Sequence, residues 1–351
     1  MGTIINLLLF IFILGILVFV HEFGHFITAK KCGVHIYEFS IGMGPVVKQI
    51  KGKDGINYSI RALPIGGFVQ MAGEVYEDDE VEKIGKEKFL CNRPWYQRLI
   101  ILCAGVFNNF LLALILLFSI ALIWGAPSSK PEIYEVAENS AAEEAGLRSG
   151  DLVLEINNKK VKTVDKMQLL LILKDKDNTY DIKVKHSDGE IEKVSVTPKE
   201  VEENGEKVKR FGISTKAEVK KGFIPAVKYS FTKMASTMDQ MWLTLGNLFT
   251  GKISVNQLSG PVGIYSVVGE SRKSGIESVI FLTAYLSINL GIMNILPIPA
   301  LDGGHVLFLI IELITRKKVN EKVEAITTNI FFFLLMAFML YITILDVIKL
   351  F

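Results

Sequence analysis

The chain has 351 residues, half of them apolar, and a mean hydropathy of +0.36, which is too oily for a soluble domain of ordinary composition. A net charge of only +2 leaves no bulk field for nucleic acid, so no nucleic-acid partner is expected. The three cysteines, Cys32, Cys91 and Cys103, form no Cys-x-x-Cys pair and cannot all be bonded within the chain; they read as ordinary thiols.

The first apolar run covers residues 4–29. Between 4 and 20 the only non-apolar members are Asn6 and Gly15, and Lys30-Lys31 end the run. That length crosses a hydrocarbon core of ~30 Å. With no basic segment before it and no small-residue cleavage site after it, the run reads as a retained span. Inside it stands His21-Glu22-Phe23-Gly24-His25. On a helix, positions i and i+4 share a face, so His21 and His25 can both direct an imidazole at one Zn²⁺. Glu22 lies beside that metal and can take a proton from its water as general base. Ionisable groups at membrane depth cost several kcal/mol unless paired or metal-bound, so this pattern points to function.

The second apolar run covers 98–125. Between the two, Asn57 to Leu63 and Gly67 to Met71 read as short strands around Pro64-Ile65-Gly66-Gly67, a hairpin over 57–73. Such a hairpin can enter the membrane where its backbone is buried in protein, and its edge can pair with an unwound peptide. Gly66 and Gly67 are its candidate substrate contacts. The acidic stretch Glu74 to Glu82 reads as a solvated loop.

Residues 127–215 change character, with short β-patterned runs at 133–136, 152–156, 180–184 and 194–196 and a helix near 164–174. Ser140 to Asp151 closes with a Gly-x-x-x-Gly-Asp turn and resembles the PDZ domains of bacterial membrane and periplasmic proteases. Residues 222–275 hold a helix suited to the membrane interface or to packing on the spans, followed by a linker. The remaining apolar blocks are 277–313, broken by Pro297 and Pro299, and 325–350. Arg316, Lys317, Lys318 and Lys322 sit between them, which puts that loop in the cytoplasm. Counting back, 30–97 lies inside, 126–275 lies outside, and both termini lie outside. The fold class is thus a polytopic α-helical membrane protein of four spans, with an inserted extracytoplasmic α+β domain and a cytoplasmic or membrane-reentrant β-hairpin. Its parts are 1–125, 127–215, 222–275 and 276–351.

Two histidines leave a catalytic zinc site one protein ligand short. The glycine and third histidine that extend the motif in metzincins are replaced by Thr28 and Lys31. Asp302, in Asn294-Ile295-Leu296-Pro297-Ile298-Pro299-Ala300-Leu301-Asp302-Gly303-Gly304-His305, is the best candidate, because irregular backbone in a span is expected where it lines a site. His305 and Glu312 stand behind it as alternatives.

The His-Glu-x-x-His span, the PDZ-like insert and Asn-x-x-Pro-x-Pro-x-Leu-Asp-Gly together resemble the site-2 protease family, near its bacterial RseP/RasP-like, single-PDZ members. The resemblance covers nearly the whole chain. It implies an intramembrane zinc metalloendopeptidase with one Zn²⁺ on His21, His25 and Asp302, and Glu22 as catalytic acid/base. Asn294, Pro297 and Pro299 map onto the family's substrate-contacting motif, and 57–73 onto its reentrant hairpin. The segment Val106 to Phe110 falls where the family has a small-residue and Asn motif, but Val106 stands where Pro is frequent, so Asn108 and Asn109 carry little weight. Implied partners are the lipid bilayer and single-span membrane proteins, such as anti-sigma factors or remnant signal peptides, first shortened by a site-1 protease. The implied location is the bacterial plasma membrane. Two other classes fit the same residues: a membrane zinc protease acting on misfolded chains, with Glu312 as third ligand, and a non-catalytic scaffold presenting the PDZ-like domain.

Overall fold

The structure is a computed structural model that describes residues 2–73, 84–173, 179–203, 206–215, 218–251 and 253–349. The acidic stretch Glu74 to Glu82 therefore lies outside the described residues. The chain forms two compact units, Met1–Leu116 with Leu258–Phe351, and Leu117–Gln257. The divisions fall inside the second apolar helix and inside the stretch grouped above as 222–275.

Helix α1 spans Gly2–Lys31 in the first unit, and α2, in which the division falls, spans Trp95–Ile123. In surroundings without water a helix satisfies its own N–H and C=O groups, so these runs have no competing structure. Lys30 and Lys31 occupy the last turn of α1, where the helix dipole favours cations. Among the described residues four helices are long and apolar enough to cross a membrane: α1, α2, a helix over Ile276–Ile295 and one over Lys322–Ile348.

The third apolar block, 277–313, is not one continuous helix. The first of its two helices stops at Ile295 and the second, Asp302–Thr315, begins seven residues later. Leu296 is extended (φ −61°, ψ 142°), as a residue before proline must be to avoid the proline ring. Pro297 and Pro299 supply no backbone donor to continue the ladder. The restart leaves Asp302 as the first residue of the new helix, where the positive end of the dipole favours a carboxylate.

The hairpin also differs from the sequence reading. It does not fold over 57–73 about Pro64 to Gly67. Strand β2 runs unbroken over Asn57–Met71, and its partner is β1, Ile36–Lys51. The chain reverses at 52–56, where Gly52 N–H donates to the Ile56 carbonyl and Asp54 Oδ1 accepts from Ile56 N–H. Lys51 pairs with Asn57 and Gln49 with Ser59, while Phe39 pairs with both Tyr58 and Val69. Residues 36–41 are thus flanked on two sides by parts of β2. Gly66, at φ 85°, allows the bend this requires. Arg61 holds the folded sheet together: its guanidinium donates to Glu38 Oε1 (2.8 Å), Ser40 Oγ (3.1 Å) and the Gly44 carbonyl (2.8 Å), and lies over the Phe68 ring.

The sheet sits on the last turns of α1. Phe26 and Ala29 form a buried cluster with Ile36, Phe39, Val69, Met71 and, from α2, Ile101. Each large apolar side chain buried there contributes roughly 1.5–3 kcal/mol. Away from that cluster the sheet leaves Ile41, Met43, Val46, Val47, Ile60 and Leu63 exposed. Higher on α1, Ile13 and Leu17 pack against Val268, Val279 and Leu282. Val268 belongs to helix Pro261–Ser274. The N-terminus of that helix is held by Asp346, whose Oδ2 accepts from the Gly260 (2.7 Å) and Gly263 (2.8 Å) amides. That pairing accounts for a buried carboxylate inside an apolar helix.

The second unit is a mixed α+β module. Strands Leu152–Ile156, Lys159–Lys160, Tyr180–Lys185 and Ile191–Val196 form an antiparallel sheet, the first strand lying between the second and third. Its core combines Val153, Ile156, Ile182, Val184, Val194 and Val196 with Met167 and Leu170 from a helix over Val164–Ile172. The long helix Phe223–Phe249 lies along that short one, with Lys233 on Asp165 (2.6 Å), Lys166 on Asp239 (2.6 Å) and Gln240 Nε2 on the Asp165 carbonyl (2.9 Å). Its polar face is therefore used within this unit.

His186 is buried in this sheet between two carboxylates, with Nδ1 2.7 Å from Asp151 and Nε2 3.1 Å from Glu192. The Asp151 hydrogen bond, followed by that of Glu192, raises its pKa above the ordinary 6.5. A group with a raised folded pKa stabilises the fold fully below its unfolded pKa and loses that contribution as pH rises through the folded one. Hydrogen exchange of the intact protein, corrected for intrinsic rate, is expected to show protection of 180–196 falling as pH rises above 6.5. In His186→Gln the slope disappears; a pH-independent wild type would contradict this.

Candidate metal centre

His21 and His25 stand one turn apart on α1, both buried, with ring centroids 4.9 Å apart and Nε2 atoms 3.3 Å apart. The break after Ile295 delivers Asp302 to the same point. Its Oδ2 lies 3.1 Å from His21 Nε2 and 3.3 Å from His25 Nε2. Despite those distances, Oδ2 is buried without an aligned hydrogen-bond donor among the described residues. These three residues are the cluster among the described residues whose donor atoms all lie within 4.8 Å of one another.

Lone pairs crowded together in a buried site are costly unless a cation or proton lies among them. Two imidazoles and one carboxylate form the three-ligand set of catalytic zinc sites, which leave a fourth position open. The set fits that ion. His25 is prepared for it from behind: its Nδ1 is 2.8 Å from the Ile101 carbonyl. A carbonyl can only accept, so the proton is on Nδ1 and Nε2 presents a lone pair.

Glu22 follows His21 on the same turn and is half-buried. The Val69 backbone N–H donates to its carboxylate. Gly67 passes close by; a Cβ there would lie 3.3 Å from Glu22 Cγ and 2.8 Å from the Ser40 carbonyl. Strand β2 therefore runs directly past the prospective base. Gly66 lies one residue further, at the bend, where a Cβ would meet Met43.

Asn294 lies in the last turn of the helix before the break, with Nδ2 3.4 Å from His21 Nε2. Pro297 and Pro299 lie in the break itself, where the Pro299 carbonyl accepts from Thr328 Oγ1. The two alternative ligands are held elsewhere: His305 Nδ1 is 3.1 Å from Glu324, and Glu312 pairs with Arg98 at 2.6 Å and accepts from Val319 N–H.

Helix α2 supplies contacts that the sequence reading did not assign. Ile101, Gly105 and Asn109 recur every four residues and so share one face. Ile101 holds His25, and a Cβ on Gly105 would lie 2.3 Å from His25 Nε2 and 2.6 Å from His21 Cε1. Asn109 Nδ2 is 3.1 Å from His21 Nδ1. A glycine and an asparagine on one face of an apolar span signal close helix approach and interhelical hydrogen bonding.

The sequence matches the model of Peptidase family M50 over residues 9–338. It is 34% identical to the regulator of sigma-W protease RasP of Bacillus subtilis, the match covering 97% of this chain and 98% of the relative. It is 33% identical to the zinc metalloprotease RasP of Bacillus licheniformis, over the full length of both. By its family match and by these full-length relatives, the chain belongs to peptidase family M50.

Proposed function

We propose that the protein is a zinc metalloendopeptidase that hydrolyses a peptide bond within or next to a membrane-spanning segment of its substrate. The observation that carries this reading is the convergence of His21, His25 and Asp302 from apolar helices on one buried point, with Glu22 beside it. These three residues would hold one Zn²⁺, which when bound polarises a carbonyl and acidifies water. Glu22 takes the proton from the attacking water and gives it to the leaving amine. The Val69 N–H orients the Glu22 carboxylate. Asn294 is placed to donate to a substrate carbonyl. A substrate helix hides its amides, so local unwinding must precede cleavage; pairing with the edge of β2 at Gly66 and Gly67 would hold the unwound strand in place.

The substrate class is single-span membrane protein. One relative is named for regulation of sigma-W, which supports an anti-sigma factor as one such substrate, trimmed first by a site-1 protease. In this reading 127–215 is a PDZ-like module on the outer side of the plasma membrane, 30–97 faces the cytoplasm, and Pro297 and Pro299 line the substrate path. The parts 1–125, 127–215, 222–275 and 276–351 remain its working divisions.

Asp302→Ala and Glu312→Gln test the ligand set. The first is expected to lose zinc and cleavage together, the second to keep both. Zinc retained in Asp302→Ala but lost in Glu312→Gln would overturn the assignment.

A further inference from the structure

Asn109 is fully buried in α2, and its amide is the partner of His21 on the side away from the metal cluster. As oriented, Nδ2 faces His21 Nδ1 at 3.1 Å, and the amide oxygen has no hydrogen-bond partner among the described residues. That arrangement conflicts with the rest of the site. An amide N–H donating to Nδ1 needs a lone pair there, which puts the imidazole proton on Nε2. Yet Nε2 is the atom that converges with His25 Nε2 and Asp302 Oδ2, and a metal-binding nitrogen must be bare.

We infer that Asn109 is a positioning residue for His21, with its amide oxygen toward the imidazole, where it accepts from Nδ1–H and leaves Nε2 free. The oxygen and nitrogen of an amide have nearly the same shape, and which is which follows from the hydrogen-bond network. Exchanging them gives the partnerless oxygen a donor and moves the His21 proton off the ligand atom. The amide N–H then takes the place the oxygen held. Both histidines are thereby treated alike from one face of α2: the Ile101 carbonyl fixes His25 and the Asn109 carbonyl group fixes His21. The backbone of Asn109 is itself anchored, because Ser287 Oγ donates to its main-chain carbonyl at 2.8 Å. Ser287 lies on the helix that also carries Asn294, so metal ligand, positioning residue and prospective substrate contact are tied into one network. Acceptors behind metal-bound histidines set ring angle and ligand basicity, and their loss weakens metal binding by roughly 10–100-fold.

The inference rests on His21 being a zinc ligand, and the test separates the two. Full-length wild type, Asn109→Asp and Asn109→Leu are purified in detergent. Zinc affinity is measured by competition with a chromogenic chelator, and Co²⁺ is added as a spectroscopic probe. Asn109→Asp keeps an acceptor of the same shape and is expected to bind zinc within about threefold of wild type. Asn109→Leu keeps the volume without the acceptor and is expected to bind roughly 10–100-fold more weakly, with an altered Co²⁺ ligand-field spectrum. Leucine binding as tightly as wild type would overturn the role, and aspartate as weak as leucine would overturn the amide orientation. Histidine-¹⁵N NMR of the zinc-loaded wild type decides the matter without any variant. Two zinc-bound imidazoles, both protonated on Nδ1, are expected; one bound through Nδ1 refutes the inference. A wild type that binds no zinc would refute the ligand assignment instead.

Discussion

Glu22→Gln is expected to keep its zinc and to lose cleavage of a single-span substrate by roughly 10²–10⁴-fold, the contribution of a positioned general acid–base. The substitution is nearly isosteric and removes the basicity alone. The amide oxygen of glutamine can still accept from Val69 N–H, so strand β2 keeps its place. Metal content and turnover measured on the same preparation separate this from a folding defect. Cleavage at the wild-type rate by the zinc-loaded variant would remove Glu22 from the mechanism.

Gly105→Ala carries the second large effect, and through space instead of charge. One added carbon would lie 2.3 Å from His25 Nε2 and 2.6 Å from His21 Cε1, far inside contact distance, so both ligands must turn or α2 must move away. Alanine is the better helix former by about 1 kcal/mol, and α2 itself is not weakened. The expected result is a folded protein whose zinc affinity falls at least as far as the roughly 10–100-fold seen when the support behind a ligand is lost, with cleavage falling in parallel. Wild-type zinc affinity in Gly105→Ala would show that α1 and α2 do not pack as described.

The legible parts of the site were those in which chemistry and spacing coincide. His21, Glu22 and His25 announce themselves because a four-residue spacing on a helix is a geometric statement. Asp302 was legible because a carboxylate in an apolar block interrupted by Pro297 and Pro299 has few reasons to be there. The contributions of α2 were hidden for physical reasons. Ile101 acts through a backbone carbonyl, which every residue possesses, and Gly105 acts by the absence of a side chain. Asn109 alone carried a side-chain signal, and Val106 in place of the expected proline drew weight away from it. Strand β1 was missed because its apolar positions are interrupted by Gly42, Gly44 and Pro45, and its pairing with both Tyr58 and Val69 comes from a bend in β2 that alternation cannot reveal. The same bend placed the turn at Pro64 to Gly67 in the sequence reading, whereas the chain reverses at 52–56.

The most direct test is cleavage of a single-span substrate by purified wild-type protein in detergent, with and without a zinc chelator, the cut mapped by mass spectrometry. The expected result is a cut within or next to the apolar segment, abolished by the chelator and restored by added Zn²⁺. Cleavage that persists at full rate after zinc is removed, or a cut confined to the soluble part of the substrate, would contradict it.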